Sequence, residues 1–114
     1  MSQDNSEIVQ QADEQEVNID DRLILFLDAA SDSNFENLKT TYEKCGSSTE
    51  QVLLLTHRDG DDNTALHFGA KNGNFQICHY LITELKSHGK AADVINSPNS
   101  KGFSPLIEVA FRGY

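Results

Sequence analysis

Apolar residues recur at helical spacing in two segments that lie forty residues apart. The first segment runs from Thr64 to Gly73, and the second, from Ser104 to Gly113, has the same or a similar residue at most of its apolar positions. A fainter third copy lies forty residues earlier, where Phe26 and the pair Ala29-Ala30 repeat the pattern. A fixed period of this length predicts a stack of repeated structural units.

Each of the two clear segments carries the start and stop signals of one short helix. Thr64 and Ser104 stand at the N-cap position, where a hydroxyl accepts a hydrogen bond from a free first-turn N–H. Pro105 suits the first helical position because its missing N–H is not needed there. Gly73 and Gly113 stand where a helix ends in the left-handed conformation. A longer second helix is predicted after Gly73 by apolar residues near a 3.6 period, namely Phe75, Ile77, Cys78, Leu81, Ile82 and Leu85.

The N-terminal copy has a weaker pattern. A helix is predicted over about residues 22–30, capped by Asp20 or Asp21, and a second helix from Phe35 to near Cys45. The apolar run at residues 52–55 stays ambiguous between a short helix and an extended segment under the stack.

These residues resemble the ankyrin repeat, whose pattern runs Asp-x-x-Gly-x-Thr-Pro-Leu-His-x-Ala-Ala-x-x-Gly before an apolar helix and a hairpin loop. The resemblance covers about residues 22–114. Four departures stand out: Asp62 replaces the loop glycine, Ala65 the proline, Gly69 the first alanine and Ile107 the histidine. The forty-residue period exceeds the usual about thirty-three. We assign the extra length to residues 86–96, as a longer second helix followed by a loop.

The resemblance implies an all-α fold, a stacked helix-turn-helix solenoid of about two and a half ankyrin repeats. The copies are expected over about residues 22–58, 59–96 and 97–114, the last of them incomplete. It also implies that His67 ties the Thr64 hydroxyl to nearby loop backbone. The scaffold positions it implies are Thr64, Leu66, His67, Ala70, Gly73, Leu81, Ser104, Pro105, Leu106, Ala110 and Gly113.

Residues 1–21 differ in composition from the rest of the chain. They hold seven of the eighteen acidic residues and no Lys or Arg. A segment with so little apolar surface to bury is expected to be a disordered acidic tail. An N-terminal helix is the lesser alternative.

The net charge of −9 restricts the classes of partner. No basic stripe is present to neutralise phosphates, so we expect no nucleic-acid binding and no direct binding to anionic membranes. No apolar run approaches the length of a bilayer span, and the N-terminus lacks the pattern of a secretory signal. Cys45 and Cys78 do not make a disulfide framework, and the expected location is cytoplasmic or nuclear.

Metal and catalytic sites are not expected. Asp59, Asp61 and Asn63 alternate like the start of a calcium-binding loop, but Thr64 and Ala70 stand where that loop needs Gly and Glu. A turn followed by a helix cap explains the run better. Neither a zinc-binding spacing of Cys and His nor a local nucleophile–base–acid signature occurs. The chain is therefore predicted to be no enzyme and to use no cofactor.

The remaining expectation is a non-catalytic module that binds another protein. In ankyrin-like stacks the loop tips and first helices line a concave face. The resemblance thus points to these partner-facing residues: Asp61, Asn63, Lys71, Asn72, Ser100, Lys101, Phe103, Phe111 and Arg112. Exposed aromatic residues beside an arginine are typical interface anchors. The alternative for Phe103 and Phe111 is packing against a further element.

The chain stops one residue after Gly113, before the second helix of the last copy and without a polar capping repeat. This pattern favours an N-terminal regulatory or targeting piece of a larger ankyrin-containing protein, such as a channel, an enzyme or a transcription regulator, whose activity lies beyond residue 114. The competing interpretation is a natural short form whose open C-terminal end pairs with another chain. Fold resemblance does not identify the partner.

Overall fold

The computed structural model describes residues 18–112, and at Arg112 the backbone alone. Over these residues the chain forms helices and no strand, which confirms the all-α prediction. The helices are α1 (Ile19–Ser31), α2 (Phe35–Glu43), α3 (Ser48–Thr56), α4 (Ala65–Asn72), α5 (Phe75–Ser87), α6 (Ala91–Ile95) and α7 (Pro105–Arg112). The predicted disorder of residues 1–17 and the predicted helix stop at Gly113 lie outside the described residues.

Helix α1 begins at Ile19, three residues before the predicted start. Its cap is Asn18, whose side chain accepts a hydrogen bond from the Asp20 N–H at 2.7 Å. The prediction that Asp20 or Asp21 caps this helix is therefore wrong. Both residues lie in the first turn, where negative charge favours the positive end of the helix dipole. Residues 19–21, which we assigned to the tail, belong to α1.

The ambiguous apolar run at residues 52–55 belongs to a helix, α3. Ser47 caps this helix by accepting a hydrogen bond from the Glu50 N–H at 3.3 Å. Leu54 and Leu55 are completely or almost completely buried on its inner face. The hydrophobic periodicity alone could not distinguish a helix from an extended segment here. Burial of both leucines beneath the stack accompanies the helical conformation.

The central copy forms the predicted pair of helices, α4 and α5. Thr64 and His67 make reciprocal capping hydrogen bonds at the start of α4, and Gly73 ends it with φ of 68°. Asn74 then caps α5 by accepting a hydrogen bond from the Ile77 N–H at 3.1 Å. The predicted helix boundaries are confirmed here because every signal lies within a few residues of the boundary it sets.

The forty-residue period arises from a third, short helix after each helix pair. Residues 91–95 of α6 correspond to residues 51–55 of α3. The prediction of a longer second helix followed by a loop over residues 86–96 is therefore wrong for the loop, which forms a short helix instead. Helix α5 ends at Ser87, the chain turns at Gly89 with φ of 73°, and α6 follows, with Val94 buried. Burial of Val94 beneath the neighbouring helices gives this segment the packing that a loop would lack.

Each helix packs mainly on its neighbours along the stack: α1 on α2, α3 and α4, and α4 on α5 and α7. Their inner faces form one buried cluster that runs from α1 to α6. Gly69 allows the close approach of α4 to α5, because a Cβ there would lie 3.0 Å from Cγ2 of Ile77 and 3.2 Å from Sγ of Cys78. This nearest-neighbour packing is characteristic of a repeat stack.

The last helix, α7, starts as predicted. Ser104 accepts a hydrogen bond from the Ile107 N–H at 3.1 Å, and Pro105 takes the first helical position. Its outer face differs from that of α4. Leu106 is 54% exposed, whereas Leu66, its equivalent in α4, is 2% exposed. Leu106 and Ala110 were assigned to the packed scaffold, yet both are exposed because no described helix covers this face.

Candidate protein-binding surface

The loop before α4 is a tight turn organised by one carboxylate. Oδ1 of Asp59 accepts hydrogen bonds from the N–H groups of Asp61 and Asn63, both at 2.9 Å. The turn places Asp62 in the left-handed region, with φ of 63°. The Asp59 carboxylate therefore organises a turn, whereas the calcium-loop alternative would have made it a metal ligand. Within residues 18–112, no group of three or more His, Cys, Asp or Glu side chains is arranged to hold a metal ion.

The loop before α7 repeats this turn with an asparagine in place of the aspartate. Oδ1 of Asn99 accepts from the N–H groups of Lys101 and Phe103, both at 3.0 Å. Gly102 takes the left-handed position, with φ of 85°. Asn99 lies forty residues after Asp59, so the two loop tips are structural copies of each other.

The two tips are joined by direct hydrogen bonds. Nδ2 of Asn99 donates to Oδ1 of Asn63 at 2.9 Å, and the Ser100 N–H donates to the Asp61 carbonyl at 2.9 Å. These bonds cross from one repeat to the next and fix the relative position of the two turns. The tips therefore present one continuous surface.

Arg58 adds a further connection between the two loop tips. Its Nη1 donates to the carbonyl of Asp62 at 2.8 Å and to that of Pro98 at 3.3 Å. One guanidinium thus bridges both tips, in keeping with the several donors that arginine presents.

His67 supports the second tip from inside the stack. Its Nδ1 accepts from the Thr64 N–H at 3.0 Å and lies 2.9 Å from the Thr64 hydroxyl oxygen, so the proton is on Nε2, which donates to the Phe103 carbonyl at 3.1 Å. The predicted link from the Thr64 hydroxyl to loop backbone is confirmed. Burial lowers the pKa of His67, against the opposing effect of the hydrogen bond to Phe103. The neutral ring is the form that suits both partners.

Between the tips and the first helices lies a small pocket of about 130 Å³. It brings together six of the nine residues that we predicted to face a partner: Asp61, Asn63, Lys71, Ser100, Lys101 and Phe103. Asn99 and Glu108 complete its lining. Its lining contains side chains of both charge signs, and we call this pocket the loop-tip pocket.

The other three predicted residues lie elsewhere or outside the described side chains. Asn72 donates from Nδ2 to the Ser31 carbonyl at 3.0 Å, so it joins α4 to the end of α1. Phe111 is 72% exposed and stacks on Phe103 at the edge of the pocket, with ring centroids 5.8 Å apart and planes at 23°. The side chain of Arg112 lies outside the described residues.

Sequence reasoning missed Asn99, Glu108 and Arg58. The forty-residue register could have identified Asn99 as the partner of Asp59. Glu108 occupies the position of Phe68, and its burial at 4% exposure had no local signal. The role of Arg58 depends on a carbonyl forty residues away, which no local pattern reveals.

A second, larger cavity of about 300 Å³ lies between α1, α4 and the segment before the first tip. It was not predicted. Its lining mixes apolar and acidic groups: Ile24, Leu27, Asp28, Ser31, His57, Asp59 and Phe68. Ile24 is 56% exposed at its rim. It shares no lining residue with the loop-tip pocket.

Comparison with known families agrees with the repeated architecture. A family described as ankyrin repeats (many copies) matches residues 26–82, which is half of the 114-residue chain. The match spans α2 to α4, the last six residues of α1 and the first eight residues of α5. No curated protein and no solved structure gave a match. Across residues 18–112, no helix has the length and apolar character needed to cross a membrane.

Proposed function

We propose, from the premise that this chain belongs to the ankyrin-repeat family, that it is a non-catalytic module that binds another protein through its loop tips and the concave face of its stack. Ankyrin repeats generally act as protein–protein interaction modules. The observation that carries the proposal is the loop-tip pocket, where residues from two repeats converge on one surface.

The rigidity of this surface supports binding. The hydrogen bonds between Asn99 and Asn63 and between Ser100 and Asp61 hold the tips in position before any partner arrives. A preorganised surface loses less conformational entropy on association than a flexible loop. More of the favourable free energy of each contact therefore contributes to the binding affinity.

The chemistry of the surface favours a partner with an apolar anchor and polar flanks. The exposed ring of Phe111, supported by Phe103, offers a flat aromatic contact. Lys71 and Lys101 line the pocket beside Asp61. Aromatic residues next to charged groups are common at the energetic centre of protein interfaces.

We place the protein in the cytoplasm or nucleus, where its two free thiols stay reduced.

The test compares three forms of the immobilised chain for retention of proteins from a cell extract. We expect the double variant Lys101→Glu with Phe111→Ala to lose specific partners that the unchanged chain retains. Lys86→Glu is the matched control, because Lys86 is exposed on α5 and does not line the pocket. Circular dichroism checks that all forms are equally helical. Equal retention by all three forms would contradict the proposal.

A further inference from the structure

The cavity of about 300 Å³ between α1 and α4, which we call the α1–α4 cavity, combines apolar side chains with two carboxylates. The apolar part of its lining is formed by Ile24 and Leu27 of α1 and Phe68 of α4. Asp28 and Asp59 supply the carboxylates, and no Lys or Arg is among the described residues that line it. Because α1 and α4 are the first helices of two successive copies, the cavity belongs to the concave face that the proposed function assigns to partner binding.

Neither carboxylate is neutralised by a basic side chain of the described residues. Asp28 is exposed on α1, and within residues 18–112 its carboxylate makes no hydrogen bond and no ion pair. Asp59 uses only Oδ1 to accept from two N–H groups of its own turn, so Oδ2 remains for a ligand. Arg58, the nearest base in the sequence, donates to backbone carbonyls of the two loop tips instead. Negative charge of this kind in a cavity favours a ligand of positive charge.

The loop-tip pocket is the counterpart of this cavity one repeat later. Three lining residues of the cavity have equivalents, forty residues later, that line the loop-tip pocket: Ser31 and Lys71, Asp59 and Asn99, Phe68 and Glu108. In the later copy the chain itself supplies a basic side chain, Lys71, and the pocket is smaller, about 130 Å³ against about 300 Å³. In the earlier copy Ser31 stands at that position and contributes no positive charge. The comparison within the molecule therefore indicates the group that the α1–α4 cavity lacks.

The size and the lining of the cavity suit one long side chain. Its volume of about 300 Å³ is at the lower limit of sites that hold a small molecule, so it is too small for a whole helix. Lysine and arginine pack their aliphatic stems on apolar surface while the charged end stays at a polar rim. A cation close to the face of an aromatic ring such as that of Phe68 gains further attraction.

We infer that the α1–α4 cavity receives a lysine or arginine side chain of the partner protein. The aliphatic stem packs against Ile24, Leu27 and Phe68. The charged end contacts the carboxylate of Asp28 and Oδ2 of Asp59. This inference rests on the proposed function, because it specifies the chemistry of the partner at the concave face.

The probes are two short peptides, acetyl-Gly-Ser-Arg-Ser-Gly-amide and its lysine analogue, titrated at low salt into the labelled 114-residue chain. NMR measures the affinity and locates the site, and it detects weak binding. We expect saturable amide shifts at Ile24, Asp28 and Phe68. The citrulline analogue of the arginine peptide has nearly the same shape without the charge, so it should bind at least about fivefold more weakly. The glutamate analogue should not bind.

One pair of variants tests the carboxylate. Asp28→Asn removes the charge at nearly constant size and should weaken binding of the basic peptides by about fivefold or more. Asp32→Asn is the matched control, because Asp32 is also exposed, ends the same helix and does not line the cavity. It should change the affinity less than about twofold.

A second pair tests the apolar part of the lining. Ile24→Ser removes an apolar side chain of the cavity that is 56% exposed, and it should weaken binding by about threefold. Leu25→Ser is its control, since Leu25 is the next residue of α1, is 52% exposed and does not line the cavity. Circular dichroism checks that all four variants are as helical as the unchanged chain.

Three results would overturn the inference: no saturable binding of either basic peptide, equal binding of the citrulline analogue, or equal weakening by Asp28→Asn and Asp32→Asn. Failure of the proposed function is a separate result, read from the extract experiment. A chain that retains partners through Lys101 and Phe111 but binds neither basic peptide would contradict this inference alone. A chain that binds the basic peptides but retains no protein from the extract would contradict the proposed function alone.

Discussion

Two equivalent residues in the loop tips, Asp62 and Gly102, hold left-handed backbone angles. A side chain with a Cβ disfavours this conformation, and Asp is among the few residues that adopt it. The turn geometry is therefore the same in both loops although only one has the glycine that the ankyrin pattern expects. Local backbone conformation, rather than side-chain contact, sets the requirement at this position.

We predict that Gly102→Ala lowers the free energy of unfolding by about 1–2 kcal/mol, the cost of left-handed backbone for an ordinary residue. A Cβ on Gly102 would meet nothing within 4 Å, so the effect comes from the backbone alone. Gly60→Ala is the control, since its Cβ is equally unobstructed and its φ is not positive. Urea unfolding measures both, and equal effects of the two substitutions would contradict the explanation.

The pH dependence of stability should reflect His67. Its pKa is lowered in the folded chain, mainly by burial, so as pH falls the unfolded chain binds the proton first. The contribution of His67 is then complete above about pH 6.5 and decreases as the pH falls below that value. Urea unfolding at several pH values should show this loss. His67→Gln should remove that part of the slope, and an NMR titration that places the folded pKa of His67 above 6.5 would contradict the prediction.

At the scale of whole elements, α2 and α5 are connected by a polar contact within an aromatic cluster. The Tyr42 hydroxyl donates to Oε1 of Glu84 at 3.0 Å and lies 3.2 Å from Nε2 of His88. The ring of Tyr42 packs edge-on against Tyr80 at 5.8 Å. Burial and the neighbouring Glu84 raise the pKa of Tyr42, so the hydroxyl stays protonated and remains a donor.

Tyr42→Phe should therefore destabilise the chain by about 1.5–3 kcal/mol, the range for a hydrogen bond to a charged group. Tyr80→Phe is the matched control, since among the described residues no hydrogen bond of its hydroxyl is seen and its ring contacts are kept. In a double-mutant cycle with Glu84→Gln, the loss caused by Tyr42→Phe should shrink. A full-sized loss in the Glu84→Gln background would show that the carboxylate is not the partner that matters.

At the scale of the whole molecule, stability comes from contacts between neighbouring repeats. The buried cluster continues from α1 to α6, and α7 packs on α4 and α6, with no further helix from residues 18–112 over its outer face. Identical residues at equivalent positions of successive repeats therefore contribute differently to the free energy of unfolding. Leu66 and Leu106 are such a pair.

We predict that Leu66→Ala destabilises the chain by about 2–5 kcal/mol, as expected for a leucine removed from a packed core. Leu106→Ala should have an effect below about 1 kcal/mol, because half of that side chain is already in contact with solvent. Urea unfolding followed by circular dichroism compares the two. Similar losses from the two substitutions would contradict this prediction.

Local signals in the sequence determined the central helix pair and the repeat. Thr64 and Gly73 begin and end α4 through hydrogen bonds that reach no further than one turn, and the forty-residue register indicated an all-helical stack. Six of the nine residues that the ankyrin resemblance predicts to face a partner lie around one pocket. These features depend only on nearby residues or on the period.

Only the tertiary structure decided the features that depend on distant neighbours. Val94 made a helix where a loop was predicted, because the helices around it provide a buried site. Asn63 and Asn72, both predicted to face a partner, also make hydrogen bonds to another repeat, which no local pattern indicated. Leu106 repeats the sequence position of Leu66 but is exposed. Sequence position does not show which chain segment packs over a side chain, and that packing sets both burial and hydrogen-bond partners.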